Sequence, residues 1–283
     1  MRSGSTSPRR AVAGSAESRV CSAARMVSRR VGIFGFLRFR SHGFCYTRKI
    51  RLRLNSKIAE QRRVLGGMTS TTFRRYTNLA AAIHLLQKRK ITLLDPSTWD
   101  DRNDAYFISE YKRRANAASV LALCFAENHE TYHHWRVFSH GSDGVCIEFD
   151  KDGLLGAFND DRGIRHGVMN YTLLKQAKGM ANVDIEQLPF LKRWPYGDEA
   201  EYRAVYVDRD VSKPFHDVDI RLGHIKRITL SPWLAAPLAE SVKGTLKAIE
   251  GCSKIKIYRS TLIDNPDWKK LAGRAAPVVP DNP

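Results

Sequence analysis

The chain has 283 residues, 43% of them hydrophobic and 27% charged, ordinary values for a globular protein of one or two domains. Its formal net charge of +18 is unevenly spread: residues 1–67 carry 16 Lys and Arg against two acids, Glu17 and Glu60, a net +14. The remaining 31 basic and 27 acidic residues give only +4, so a strong electrostatic footprint for nucleic acid could come from the leader alone.

The leader opens with SGSTSPRRAVAGSAESR, a Ser/Ala/Arg mixture that cannot bury enough surface to offset its ordering entropy, and it is expected to be disordered. Its apolar run VGIFGFLRF (31–39) is too short to span a bilayer and lacks the order of a signal peptide. Three readings stay open for residues 1–67. Met68 is the true start and the upstream stretch an artefact of the gene model; or the Arg-rich, acid-poor stretch is an organelle transit peptide; or it is an arm for nucleic acid or a membrane surface. Cys21 and Cys45 fall in this leader, while Cys124, Cys146 and Cys252 are widely spaced without a CxxC pair. That pattern predicts free thiols in a reducing, cytoplasmic compartment and no zinc ribbon.

Residues 68–283 read as one domain. TNLAAAIHLLQKRK predicts a helix capped by Thr77 or Asn78, with Leu79, Ile83 and Leu86 on one face. ITLLDP (91–96) reads as a short strand stopped by Pro96, STWDDRNDAY as a polar loop, and ISEYKRRANAAS as a second helix. VLALCFAE (120–127) is a continuous apolar run and a central strand. ETYHHWRVFSH reads as a helix, then GVCIEFD (144–150) and GVMNYT (167–172) as strands, and LLKQAKGMANVDIEQLPFLKR as a helical region. EYRAVYV (201–207), IKRITLSP (225–232) and SKIKIYRS (253–260) are β-like, and LAESVKGTLKAIEG is a helix terminated at Gly251. The order implies an α+β domain with a mixed β-sheet flanked by helices.

Three segments carry chemistry. In RWPYGDEAEYR, residue alternation along a strand would align Glu199, Glu201 and Arg203 on one face. Two carboxylates beside a guanidinium can orient a sugar hydroxyl or stabilise a developing cation, and Arg203 can hold Glu201 ionised; a solvated salt-bridge face is the plainer alternative. In TWDDRNDAY, Asp100, Asp101, Asn103 and Asp104 offer oxygen ligands, but the EF-hand order is missing, and local Asx-turn bonding is the preferred reading. In HETYHHWRVFSH, His129 and His133 are four apart, yet no third ligand for zinc is evident, and no metal site is assigned. His134, Trp135 and His140 instead suggest a polar rim over an aromatic anchor; Trp135 could stack on a base or serve the core. HGSDGVC lacks the Gly-Lys-Ser/Thr ending of a phosphate-binding loop, and no nucleophile elbow occurs.

These segments, taken in order, resemble a bacterial family known as domain of unknown function 2971. The resemblance runs through FRRYTNLAAAIHLLQKRKITLLDP, STWDDRNDAY, LALCFAENHETYHHWRVFSHGSDGVCIEFD, RWPYGDEAEYR, IKRITLSP and IYRST, and covers about residues 73–262. It implies that Asn103, Asp104, Trp135 and the E-x-E block matter. Phe138 stands where the family commonly has Tyr, and Ser142 where it commonly has His. The E-x-E pattern is also similar to that of ADP-ribosyltransferases, in which a late Glu engages the ribose of NAD and an early Arg or His holds the cofactor. Arg75 would take the early role here and Glu201 the late one. The reading is an enzyme on a nucleotide-like substrate, with NAD the candidate cofactor. Glu201, Glu199 and Arg203 are its catalytic residues, and Arg75, Tyr76, Asn103, Asp104, Trp135, Trp194 and Tyr196 bind substrate. The alternative is a non-catalytic recognition or sensor module in stress or phage defence. Convergence of Arg75, Asp104, Glu201 and Arg203 in one pocket favours the enzyme; dispersal over exposed faces favours the module.

Overall fold

A computed structural model of the chain describes residues 70–139 and 141–275, all within the unit Leu65–Pro283. Residues 1–69, with Cys21, Cys45 and Met68, residue 140 and residues 276–283 lie outside the described residues.

The fold is a mixed sheet flanked by helices. Its first strand, β1 (Thr72–Asn78), is the stretch FRRYTN, which the sequence presented only as a basic lead-in to a helix. Phe73 and Tyr76 are buried on opposite faces, so the strand is a pleated surface whose arginines disguise it. Helix α1 (Leu79–Lys88) follows, capped by Asn78, whose side chain accepts from Ala81 N at 2.9 Å. Then come β2 (Lys90–Leu94) and α2 (Arg102–Arg114). The predicted loop STWDDRNDAY is therefore half helix. Asp101 is the N-cap of α2, accepting from the backbone N–H groups of Asn103 and Asp104, and an N-cap shares its side-chain-to-backbone bond with an Asx turn.

β3 (Ser119–Ala126), α3 (Tyr132–Phe138), β4 (Gly144–Asp150) and α4 (Lys151–Asn159) continue the chain, the last capped by Asp150. The stretch 167–172 divides into β5 (Ile164–Val168) and β6 (Asn170–Thr172). The helical region expected over 173–193 is only a short α5 (Leu174–Gly179), a 3-10 turn (Ile185–Phe190) and β7 (Leu191–Arg193), because Pro189 denies it a continuous ladder. β8 (Glu201–Asp208), β9 (Phe215–Asp219), β10 (Ile225–Leu230), α6 (Ala236–Ala248), β11 (Ile257–Arg259) and α7 (Pro266–Ala272) complete the described chain.

Nine strands form the main sheet, in the order β11-β10-β4-β1-β3-β2-β9, with β8 on β3 and β5 on β8; β6 and β7 make a small parallel pair. Only β10 and β11 run parallel within the main sheet. The ladder is uneven where it matters. β1 pairs with β4 along its whole length but meets β3 at one register pair, Arg74 with Ala126. β2 also meets β3 at one pair, Leu94 with Ala122, whereas β3 and β8 pair from Ser119 to Ala126. The sheet is thus parted along one edge of β3, and Arg75 Nη1 donates to the Cys124 carbonyl in that opening at 3.1 Å.

One face of the sheet carries the large core, with Phe73, Leu123, Phe125, Ile147, Phe149 and Tyr202 among its members. The other face is covered in two separate patches. Ile108 and Tyr111 of α2 lie over Val120, Ala122 and Val205; Trp135 of α3 lies over Tyr76, Ala126 and Cys146. Between the two patches neither helix covers the sheet, although its side chains there are themselves largely buried. Among the described residues no helix is long and apolar enough to cross a membrane, and the three cysteines are free.

Candidate functional site

The uncovered stretch is a cleft of about 540 Å³. Its floor is β1, β3 and β8, giving Arg74, Arg75, Tyr76, Cys124, Glu201 and Arg203. One wall is the start of α2, with Trp99, Asp101 and Asp104; the other is the end of α3, with Val137 and Phe138. Lys192, Tyr196 and Glu199 close one end.

Seven of the ten sequence candidates therefore line one cleft: Arg75, Tyr76, Asp104, Tyr196, Glu199, Glu201 and Arg203. Three do not. Asn103 is exposed on the outer side of α2, where its side-chain amide donates to Asp101. Trp194 is 58% exposed and is not part of the cleft lining. Trp135 is fully buried core, its indole N–H donating to Glu130 at 2.6 Å, so it offers no face for a ligand to stack on. The histidine reading is also corrected. His129 precedes α3 and is exposed, so it shares no helical face with His133, and His134 is buried against Tyr76 and is no rim. Among the described residues no three His, Cys, Asp and Glu side chains are grouped to hold a metal ion.

Glu199 and Glu201 do converge, but not by strand alternation. Glu199 ends a 3-10 turn (Trp194–Glu199), and Ala200 turns the chain with a φ of +42° before β8 begins. That left-handed residue, which costs an alanine about 1–2 kcal/mol, brings the two carboxylates to one side. The His134 ring fixes the turn: Nδ1 meets Thr131 Oγ1 at 2.5 Å and Nε2 meets the Glu199 carbonyl at 3.2 Å.

Arg203, with no exposed surface, organises the floor. Its guanidinium donates to both oxygens of Asp104 at 2.8 and 2.6 Å, to Glu201 Oε1 at 2.7 Å and to the Pro189 carbonyl at 2.9 Å, and it lies over the Trp99 ring. Such a fork-shaped group satisfies several buried oxygens at once. Lys192, which the sequence reading missed, supplies the second cation. Its Nζ lies 2.5 Å from Glu199, 2.9 Å from Glu201 and 3.6 Å from Asp104.

Two cations thus face three carboxylates, and the two glutamates are held unequally. Burial works against ionised Glu201, but Arg203 and Lys192 outweigh it and hold its pKa down at about 2. Burial pushes Glu199 up to about 7; Lys192 pulls against this, and Glu201 and Asp104 add repulsion. A carboxyl poised near neutrality beside one kept ionised is the pattern of paired groups with different proton roles.

Across the cleft the polarity reverses. Burial works against the charge of Arg75, and among the described residues no carboxylate lies within salt-bridge distance of it. Tyr76 Oη, which has the Cys146 thiol beside it, and Asp101 Oδ2, near the Tyr196 hydroxyl, are buried without a well-formed hydrogen bond. Buried polar atoms left so are places where a ligand or water completes the bonding. Cys124 lies between the two sides; burial raises its thiol pKa and so keeps it from acting as a nucleophile.

Neither a protein-family model nor a curated protein matches the chain. Among solved structures, DarT of Thermus sp. 2.9 in complex with ADP-ribosylated ssDNA is 12% identical, with a TM-score of 0.37, covering 68% of this chain and 98% of that one. The same DarT in complex with carba-NAD+ and with NAD+ is 10% identical in each case, with TM-scores of 0.34 and 0.35, covering 68% of this chain and 96% of the other. These figures are too low to assign this chain a fold family or an activity.

Proposed function

We propose that the cleft binds a nucleotide, with NAD the candidate, and promotes transfer of its ADP-ribosyl group. The observation that carries this reading is the pairing, within one cleft, of a guanidinium that has no carboxylate partner among the described residues and a carboxylate pair of unequal acidity. Arg75 would receive the diphosphate, since a desolvated cation gains most from an anion. Tyr76 Oη and Asp101 Oδ2 would bond ribose hydroxyls or the waters around them. Glu201, held toward its ionised form by Arg203 and Lys192, would stabilise positive charge on the ribose as the C1′–N bond breaks and its electron pair leaves with nicotinamide. The acceptor's nucleophilic atom then bonds C1′, and its proton passes to Glu199 in its ionised form. Phe138 lines the cleft where the resembled family commonly carries Tyr, so no hydroxyl at that position takes part. The membership of that family belongs to this same proposal.

The test is incubation of the full chain with NAD labelled in the adenylate, with and without protein, nucleic-acid and small-molecule acceptors. The reading expects nicotinamide release or label transfer that Glu201→Gln abolishes. Equal turnover by wild type and Glu201→Gln would remove Glu201 from the chemistry. One observation favours a recognition module: both oxygens of Glu201 are already engaged by Arg203 and Lys192 in the free protein. That reading expects nucleotide binding without turnover.

A further inference from the structure

The small parallel pair of strands, β6 and β7, has three residues on each strand and contributes little to the main core, yet it delivers two side chains to one residue, Glu201. Tyr171 and Lys192 are register partners across this pair. The Glu201 backbone N–H donates to Tyr171 Oη at 2.8 Å, while Lys192 Nζ donates to the Glu201 carboxylate at 2.9 Å. The Lys192 side chain is 7% exposed, and its ammonium also lies 5.1 Å from the Tyr196 ring centre, so its position is set from three sides.

The charged and titratable groups around it come from every neighbouring element. Asp104 projects from α2, Glu199 from the 3-10 turn with Tyr196, Glu201 and Arg203 from β8, and Tyr171 from β6. Their sharing is asymmetric. Glu201 is gripped by two cations, Arg203 on Oε1 and Lys192 on Oε2, while Glu199 has Lys192 alone. The split between the carboxylates therefore depends on the one cation they share.

Resting on the reading of this cleft as catalytic, we infer that Lys192 is its positioning residue, the one cation that bridges Glu199 and Glu201 and so sets how charge is divided between them. Without Lys192, Glu201 keeps Arg203, but Glu199 faces Glu201 and Asp104 with no counter-charge. It then holds its proton to higher pH and cannot act as a base at neutrality. The hydrocarbon stem of Lys192 fills the end of the cleft, so a purely structural role predicts lost stability with an unmoved titration.

The deciding measurement is a carboxyl carbon NMR titration of the full chain labelled at the glutamate side-chain carboxyl, in wild type, Lys192→Met and Lys192→Arg. The Glu199 signal is identified by its loss in Glu199→Gln. Lys192→Met is expected to move its midpoint upward by about one pH unit or more, and Lys192→Arg to return it toward wild type. If the protein cleaves NAD, the acidic limb of its pH–rate profile moves by the same amount. An unchanged Glu199 midpoint in folded Lys192→Met overturns the inference. Lys192→Gln, which keeps a polar head, takes its place if the Met variant fails to fold. A wild type without NAD turnover would refute the proposed reaction, yet the titration would still decide the role of Lys192.

Discussion

Replacing Glu199 by Gln removes one charge from a buried group in which Lys192 and Arg203 face three carboxylates, leaving two against two. The structure predicts that this loss stabilises the protein at alkaline pH. Glu199 titrates near 4.5 when unperturbed and at about 7 in the folded chain. Moving a carboxyl that far costs its ionised form about 3 kcal/mol. The pull of Lys192 is already contained in that figure, and a Gln amide oxygen can still accept from the ammonium. Because the folded value is the higher one, folded Glu199 keeps a proton that the unfolded chain loses between 4.5 and about 7. Its contribution to stability is therefore full below that window and declines as pH rises through it. Glu199→Gln has no such decline. Urea unfolding followed by circular dichroism should find the variant more stable by up to about 3 kcal/mol at pH 8 and indistinguishable from wild type at pH 4. A variant that is less stable at pH 8, or a difference that ignores pH, would refute the charge account of this site.

Three further outcomes follow from the same geometry. Arg203→Met should cost about 3–5 kcal/mol in the same unfolding assay, since it strands Asp104 and Glu201 in the interior, and Arg203→Lys should not restore the loss because an ammonium cannot span both oxygens of Asp104. Tyr76→Phe should leave stability unchanged or raise it by about 1 kcal/mol, because the buried hydroxyl has only the weakly bonding Cys146 thiol beside it, while nucleotide affinity measured by calorimetry falls. Trp135→Ala should cost about 3–5 kcal/mol, as for any fully buried large side chain; an effect on nucleotide binding without one on stability would return Trp135 to the ligand.

Much of the sheet was legible because β3, β4 and β8 are buried on both faces and so appear as unbroken or strongly apolar runs. β1 escaped notice because Arg74 and Arg75 break the apolar pattern. Arg74 is buried by pairing with Glu148 of β4 and donating to the Asn128 carbonyl, and no local pattern encodes a partner 74 residues away. β9 was missed for a related reason: it is a five-residue edge strand, FHDVD, whose one buried side chain is Val218. The start of α2 was read as a loop because a capping aspartate looks the same in both settings. The E-x-E pair and Arg203 could be named from sequence, yet their convergence depends on the left-handed Ala200, and alanine gives no sign of it. Lys192 left no signal at all. It sits in a Pro-broken stretch, and its meaning arises only when the β6–β7 pair folds it under β8. Trp135 and Trp194 mislead in opposite ways, one being wholly core and the other an exposed residue beside the site.

The measurement that bears most directly on the account is a crystal structure of the full chain soaked with a non-cleavable NAD analogue. The account predicts the diphosphate on the Arg75 guanidinium and the ribose C1′ facing the carboxylates of Glu199 and Glu201, with Tyr76 Oη bonded. A ligand lodged elsewhere on the surface, or a cleft that stays empty at saturating analogue while Arg75 keeps only the Cys124 carbonyl, would contradict it.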